Sequence, residues 1–214
     1  MGTESFEHDA SRRDDALVPV AGGKYRPLGS SKYLLDVLEM VPEMMDLARV
    51  EVEVVMNKDS SAMVVEDWTR VAEALHARRE EFSAFVVAHG TDTMAYCASA
   101  LSFMLEGLSK PVVLTGSMIP FAESYSDARR NLVMALIFAH DGPSEVVVFF
   151  GDRLLRGNRT TKVDALALSA YDSPNFPPLA SCGVALRARY DLALAPSSEL
   201  RCKAITPMET KILV

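Results

Sequence analysis

The sequence predicts a doubly wound α/β domain built on a mostly parallel sheet. Three observations carry this. "AFVVAH", "PVVLTG" and "EVVVFF" are short, continuous, valine-rich apolar runs, the pattern of strands buried on both faces. Helix-compatible segments at 93–107 and 126–139 separate them. Strands and helices that alternate in this way describe a parallel sheet covered by helices, with crossovers expected to obey the right-handed rule.

The elements follow in order. Residues 1–30 show no periodicity: charges give way to Pro19, Gly22, Gly23, Pro27 and Gly29, which read as an irregular loop. A helix is expected from Ser31, capped by its hydroxyl, with Tyr33, Leu34, Val37, Leu38 and Met40 turned inward. Pro42 either ends that helix or opens a second short one. "VEVEVVM", from Val50, alternates like a strand. "VEDWTRVAEALHARR" sets Trp68, Val71, Ala72 and Leu75 at helical spacing, with charges opposite. After the third valine-rich run, "RLLRGNRTTKVDALALSAYDSPNFPPLAS" reads as loop with helix-compatible pieces. "AITPMETKILV" ends in an apolar run that reads as a strand.

Composition narrows the function classes. With 214 residues, 49% hydrophobic and 24% charged, the chain is ordinary globular material, enough for one sizeable domain or one domain plus a fragment of another. A net charge of -7 argues against a nucleic-acid partner. No apolar run reaches membrane-spanning length, and "MGTESFEHDASRRDD" has no secretory character. Cys97, Cys182 and Cys202 have neither paired nor metal-ligand spacing. They fit a reducing compartment, no disulfide and no metal. The cytoplasm is the expected location.

In an open parallel sheet, ligands bind at the carboxyl ends of the strands. This sets three turns on one edge: "NKDSSAM", "HGTDTM" and "TGSMIP". Asp59, Ser60, Ser61, Thr91, Asp92, Thr93 and Ser117 then converge, and the amides at the following helix starts favour a carboxylate. A plainer alternative has Asp92 or Thr93 capping the helix near Met94 and "RGNRTTK" as a solvated basic loop. The chemical reading requires Lys162 to fold back beside Thr91.

"HGTDTMAYCASALSFMLEGLSKPVVLTGSMIPFAESYSDARRNL", followed by "RGNRTTKVDA" and "SPNFPPLA", closely resembles the cytosolic, type I L-asparaginases. The resemblance runs from about Val18 to about Pro207. It implies an amidohydrolase that converts asparagine to aspartate and ammonia without a cofactor, with glutamine as the other candidate amide. It also implies a homo-oligomer in the full-length form. Thr91, Asp92 and Lys162 match the family's Thr–Asp–Lys constellation. A lysine amine beside a threonine hydroxyl accepts its proton, or that of a water. By the same resemblance Asp92 holds the substrate's ammonium group. The turn of Asp59, Ser60 and Ser61 holds its α-carboxylate, and Ser117 lies near the scissile amide.

The family begins with a strand that runs into a Thr-Gly-Gly-Thr-Ile turn, whose second threonine is the usual candidate nucleophile. Here Gly2 and Thr3 are the only remnant on offer, with Glu4 in place of the branched apolar residue. Residues 1–30 are thus expected as an irregular segment, 31–203 as the asparaginase-like N-terminal domain, and 204–214 as the start of a second domain. The sheet is expected to be incomplete at both ends. These 214 residues alone are expected to show little or no asparaginase activity and to aggregate or form oligomers through unpaired strand edges. A catalytically inactive fragment or ligand-binding module is the alternative from another class. The related tRNA amidotransferase subunit needs an extra N-terminal domain, which thirty irregular residues do not supply.

Overall fold

Helices cover both faces of a six-stranded mixed sheet in the computed structural model of the chain, which describes residues 17–20, 24–27 and 41–195. In chain order its elements are β1 (Leu17–Val20), β2 (Lys24–Pro27), α1 (Glu43–Leu47), α2 (Val65–Ala77), β3 (Phe85–Ala88), α3 (Met94–Met104), β4 (Val112–Thr115), α4 (Ala128–Asp141), β5 (Val146–Phe150), β6 (Arg153–Arg156), β7 (Thr161–Lys162), β8 (Tyr171–Asp172), β9 (Ala180–Cys182) and β10 (Leu186–Ala188). The three valine-rich runs are β3, β4 and β5, parallel neighbours as expected. Beyond β5 the sheet continues antiparallel through β6, β9 and β10.

Alternation along the strands sorts their side chains between two cores. Val112, Leu114, Val146, Val148 and Phe150 pack with α2 and α3 on one face. Val113, Val147 and Phe149 pack with α4 on the other. Helix α2 offers a single stripe, Val71, Ala72 and Leu75. In contrast α3 buries Met94, Cys97, Ala98 and Leu101 completely, because its sequence is apolar nearly all round. That burial pushes the Cys97 thiol up to about 12, which leaves it an inert core group.

Helices α3 and α4 therefore lie on opposite faces, although β3, β4 and β5 stand side by side in chain order. Two right-handed crossovers in one direction would have put both helices on one face. One of the two connections is left-handed, against the expectation and against a rule that fails about once in fifty. The apolar patterns of α3 and α4 do not by themselves dictate a face.

Other expectations also change. Within residues 1–30, β1 and β2 pair as an antiparallel hairpin. Gly22 and Gly23 between two short runs were a hairpin signal that the surrounding charges and prolines obscured. Pro42 does open a short helix, α1. Residues 51–56 are not a strand: among the described residues no neighbour pairs with them, and alternation alone does not hold a strand. Val52, Val54 and Val55 stay exposed, while Glu51 and Glu53 reach Arg78 at 2.6 and 3.3 Å. The expected loop after β5 instead supplies β6 to β9, because Leu154 and Leu155 are buried against β5 and its neighbours. The helix expected from Ser31 and the strand expected at the end of the sequence lie outside the described residues. Among the described residues no helix is long and apolar enough to cross a membrane.

Candidate active site

The turns that follow β3 and β4 meet a 3-10 turn, Ser60–Ala62, at one sheet edge. Two glycines allow this approach. A Cβ on Gly90 would lie 2.6 Å from Ser60 Oγ, and one on Gly116 only 2.3 Å from the His89 carbonyl. Ser60 is 4% exposed. Its Oγ accepts the Asp92 amide at 3.1 Å, and its carbonyl accepts the Thr93 hydroxyl at 2.7 Å. The turn carrying Ser117 is held by Asp127, whose carboxylate accepts the Met118 and Ile119 amides. Asn131 donates to the Gly116 carbonyl at 2.9 Å and accepts the Gly151 amide. Burial lowers the pKa of His89, so the neutral ring donates from Nδ1 to the Gly90 carbonyl at 2.7 Å.

Lys162 reaches this edge from β7. Its Nζ lies 2.9 Å from Thr91 Oγ1 and 2.8 Å from Asp92 Oδ1. Lys162 is largely covered, at 17% exposure, whereas Asp92 is 59% exposed. Asp92 Oδ2 takes no hydrogen bond from the described residues. The Thr91 carbonyl accepts the hydroxyl of Tyr171, which stands opposite Lys162 in the β7–β8 pair.

The plainer alternatives do not describe this geometry. Helix α3 begins at Met94 without a side-chain cap bond, since the Thr93 hydroxyl is used on Ser60 and the Asp92 carboxylate on Lys162. Lys162 points at the strand-end turns and not into solvent.

The structure brings Ser60, Thr91, Asp92 and Lys162 together, with Ser117 on the adjoining turn. Asp59 and Ser61 remain on the solvent side of their own turn. Asp59 Oδ1 accepts the amide and hydroxyl of Ser61, both at 2.8 Å, and these bonds, the amide first, hold its carboxyl below the usual range. Sequence reasoning missed Asp127, Asn131 and Tyr171. The first two sit four residues apart at the start of a helix, so their shared face was legible. Nothing local marked Tyr171. Among the described residues no cluster of His, Cys, Asp or Glu could hold a metal ion. The arrangement presents a carboxylate oxygen open to a cation beside a hydroxyl and an amine, which suits binding an ammonium group and moving one proton.

The family model "Asparaginase, N-terminal" matches residues 21–193. L-asparaginase 1 of Escherichia coli K12 is 46% identical over 199 residues, which cover 92% of this chain and 56% of that protein. The 60 kDa lysophospholipase of Mus musculus is 52% identical over 126 residues, 58% of this chain and 22% of that protein. The crystal structure of L-asparaginase I from Vibrio cholerae superposes with a TM-score of 0.71 at 37% identity, covering 86% of this chain and 56% of that one. The chain thus spans little more than half the length of these two asparaginases.

Proposed function

The chain belongs to the asparaginase family, and on that premise we propose that it hydrolyses the side-chain amide of L-asparagine, giving L-aspartate and ammonia. The observation that carries this reading is the contact of Lys162 Nζ with both Thr91 Oγ1 and Asp92 Oδ1. In the proposed reaction the substrate's ammonium group sits on the open oxygen of Asp92. Its α-carboxylate faces the amides and hydroxyls around Ser60 and Ser61, with Asp59 shaping that turn, and Ser117 lies beside the scissile amide. Once the proton of its ion pair with Asp92 has left to solvent, Lys162 takes a proton from Thr91 Oγ1 or from a water held there. The freed oxygen adds to the amide carbon, the carbon–nitrogen bond breaks, and the proton passes to the departing nitrogen. If Thr91 itself adds, water then cleaves the resulting ester, so either route consumes one water. Amides of the turns would hold the oxyanion, and each such donor contributes about 10²–10³ in rate.

The reading needs no cofactor, and it includes the cytoplasm as location and a homo-oligomer as the working form. Glutamine is the competing substrate, one methylene longer; such a difference is worth about 1–3 kcal/mol in a shaped pocket. The Lys162–Thr91 contact is formed within these 214 residues, so the proposal goes beyond the low activity expected of them alone. The test is ammonia release from L-asparagine and L-glutamine by this chain, with L-aspartate binding measured beside it. Turnover that falls about 10²- to 10⁴-fold in Thr91→Ala supports the proposal. Aspartate binding without turnover would assign a ligand-binding module instead. Fatty-acid release from a lysophospholipid with asparagine left intact would overturn the reading.

A further inference from the structure

The contact between Lys162 and Thr91 joins parts of the chain that no long strand pairing connects. Among the described residues Thr91 follows β3, an edge strand of the sheet, while Lys162 stands on β7, which is two residues long and pairs only with β8. Two residues of ladder have little cohesion of their own, so the placement of β7 against the β3 turn has to come from elsewhere.

The 3-10 turn Gly157–Arg159 just before β7 packs on α3, where a Cβ on Gly157 would lie 2.9 Å from Ser102 Oγ. Tyr171 ties β7 to the Thr91 turn itself, from both directions. Its backbone lies directly opposite Lys162, and next to it the Val163 amide donates to the Ala170 carbonyl at 2.8 Å. The residue as a whole is 3% exposed. The ring lies against Phe150, with centroids 4.8 Å apart at 54°, and the hydroxyl continues past that core to donate to the Thr91 carbonyl. Burial, and after it the Asp92 carboxylate, raises the phenol's pKa well above its usual value, so it remains a donor at neutral pH. A buried tyrosine without a partner would carry a desolvation cost. Here the partner is the main chain of the residue that Lys162 touches.

We propose that Tyr171 is a positioning residue: its hydroxyl fastens the Thr91 main chain to the strand carrying Lys162, and so sets the distance between Thr91 Oγ1 and Lys162 Nζ. Its effect on turnover rests on the hydrolytic reading above; the clamp itself does not. A bland core role, in which the ring only fills space beside Phe150, makes a different prediction for the hydroxyl.

The experiment compares the parent with Tyr171→Phe, which keeps the ring and removes the donor, and with Phe150→Leu, which loosens the ring and keeps the donor. Amide exchange at residues 91–93 is read against β4 amides in the same protein, and kcat and KM for L-asparagine are measured on the same samples. In Tyr171→Phe, exchange at 91–93 should quicken about five- to tenfold relative to β4, the loss of one hydrogen bond. The kcat should fall about 10- to 100-fold, as for a small misplacement of reacting groups, with KM changed less than about threefold. Phe150→Leu should leave kcat within about threefold of the parent. Unchanged exchange at 91–93 would overturn the clamp. Faster exchange with an unchanged kcat, or an equal loss of kcat in Phe150→Leu, would overturn the positioning role. A parent that releases no ammonia overturns the hydrolytic reading instead, and the clamp then stands or falls on exchange alone.

Discussion

Two ion pairs of almost equal length sit at opposite ends of the sheet, and they are built for different work. Lys162–Asp92, at 2.8 Å, follows the carboxyl end of β3, while Arg156–Glu145, at 2.7 Å, lies where β5 begins. The second is closed on every side that matters. Arg156 and Glu145 are 12% and 5% exposed, and the guanidinium meets both carboxylate oxygens. It also donates to the Leu192 carbonyl and stacks over Phe176, while Glu145 accepts the Leu194 amide. In the first pair Asp92 is 59% exposed and keeps one oxygen free of partners among the described residues. A saturated pair is spent on holding chain segments together. An unsaturated one at the mouth of a strand edge is left able to take a ligand. Distance alone would not have separated the two; the count of satisfied oxygens does.

That contrast is open to attack by mutation, beginning with the largest expected loss of stability. Glu145→Ala strands a buried guanidinium and releases the 192–194 segment. It should lower the unfolding free energy by about 3–5 kcal/mol in a urea titration, while the folded fraction keeps its affinity for L-aspartate. A loss below about 1 kcal/mol would mean that this pair is not structural after all.

Gly90→Ala comes next. The new methyl would overlap Ser60 Oγ at 2.6 Å, and Ser60 is too buried to step aside freely. Overpacking of this kind costs about 1–3 kcal/mol, and the separation of the two turns should weaken aspartate binding measured by calorimetry. Full affinity in the alanine variant would show that the approach of the turns is incidental to the site.

A smaller effect belongs to Asp67, which supports the helix behind the Ser60 turn by accepting Lys58 at 2.7 Å and the Val64 amide at 2.9 Å. Burial alone would raise its carboxyl, but Lys58 and the amide outweigh it and hold the group below its ordinary range. The folded value is therefore the lower one. The contribution is present in full above the unfolded carboxylate range, about pH 4, and is lost as pH falls through the folded value. Asp67→Asn should lose about 1–2 kcal/mol at neutral pH. The gap between variant and parent melting curves should close in acid. A gap that widened as pH fell would reverse the sign of this account.

The same contrast explains what was legible in the sequence. Val112–Thr115 and Val146–Phe150 announce themselves because burial on both faces leaves no place for polar alternation. Thr91, Asp92 and Lys162 could be set side by side from their family motif. What stayed hidden depends on partners distant in the chain. Residues 51–56 alternate like a strand and yet find no neighbour among the described residues. Arg153–Arg156 looks like charged loop and is a strand because β5 lies beside it. Arg156 and Glu145 are eleven residues apart with nothing to mark their burial, and Tyr171 is eighty residues from the carbonyl it holds. The side of the sheet on which each helix lies was hidden too, since the handedness rule describes most connections and not this pair.

The most direct test of the central claim is Lys162→Met, the substitution with the smallest expected effect on stability. Its pair with a largely exposed carboxylate is worth about 0–1 kcal/mol, so the melting curve should be nearly that of the parent. Ammonia release from L-asparagine, measured on the same folded protein, should fall at least about 10²-fold because the proton acceptor is gone. Turnover that survives in Lys162→Met while stability drops as far as in Glu145→Ala would contradict the account, and would make the Lys162–Asp92 pair the structural one.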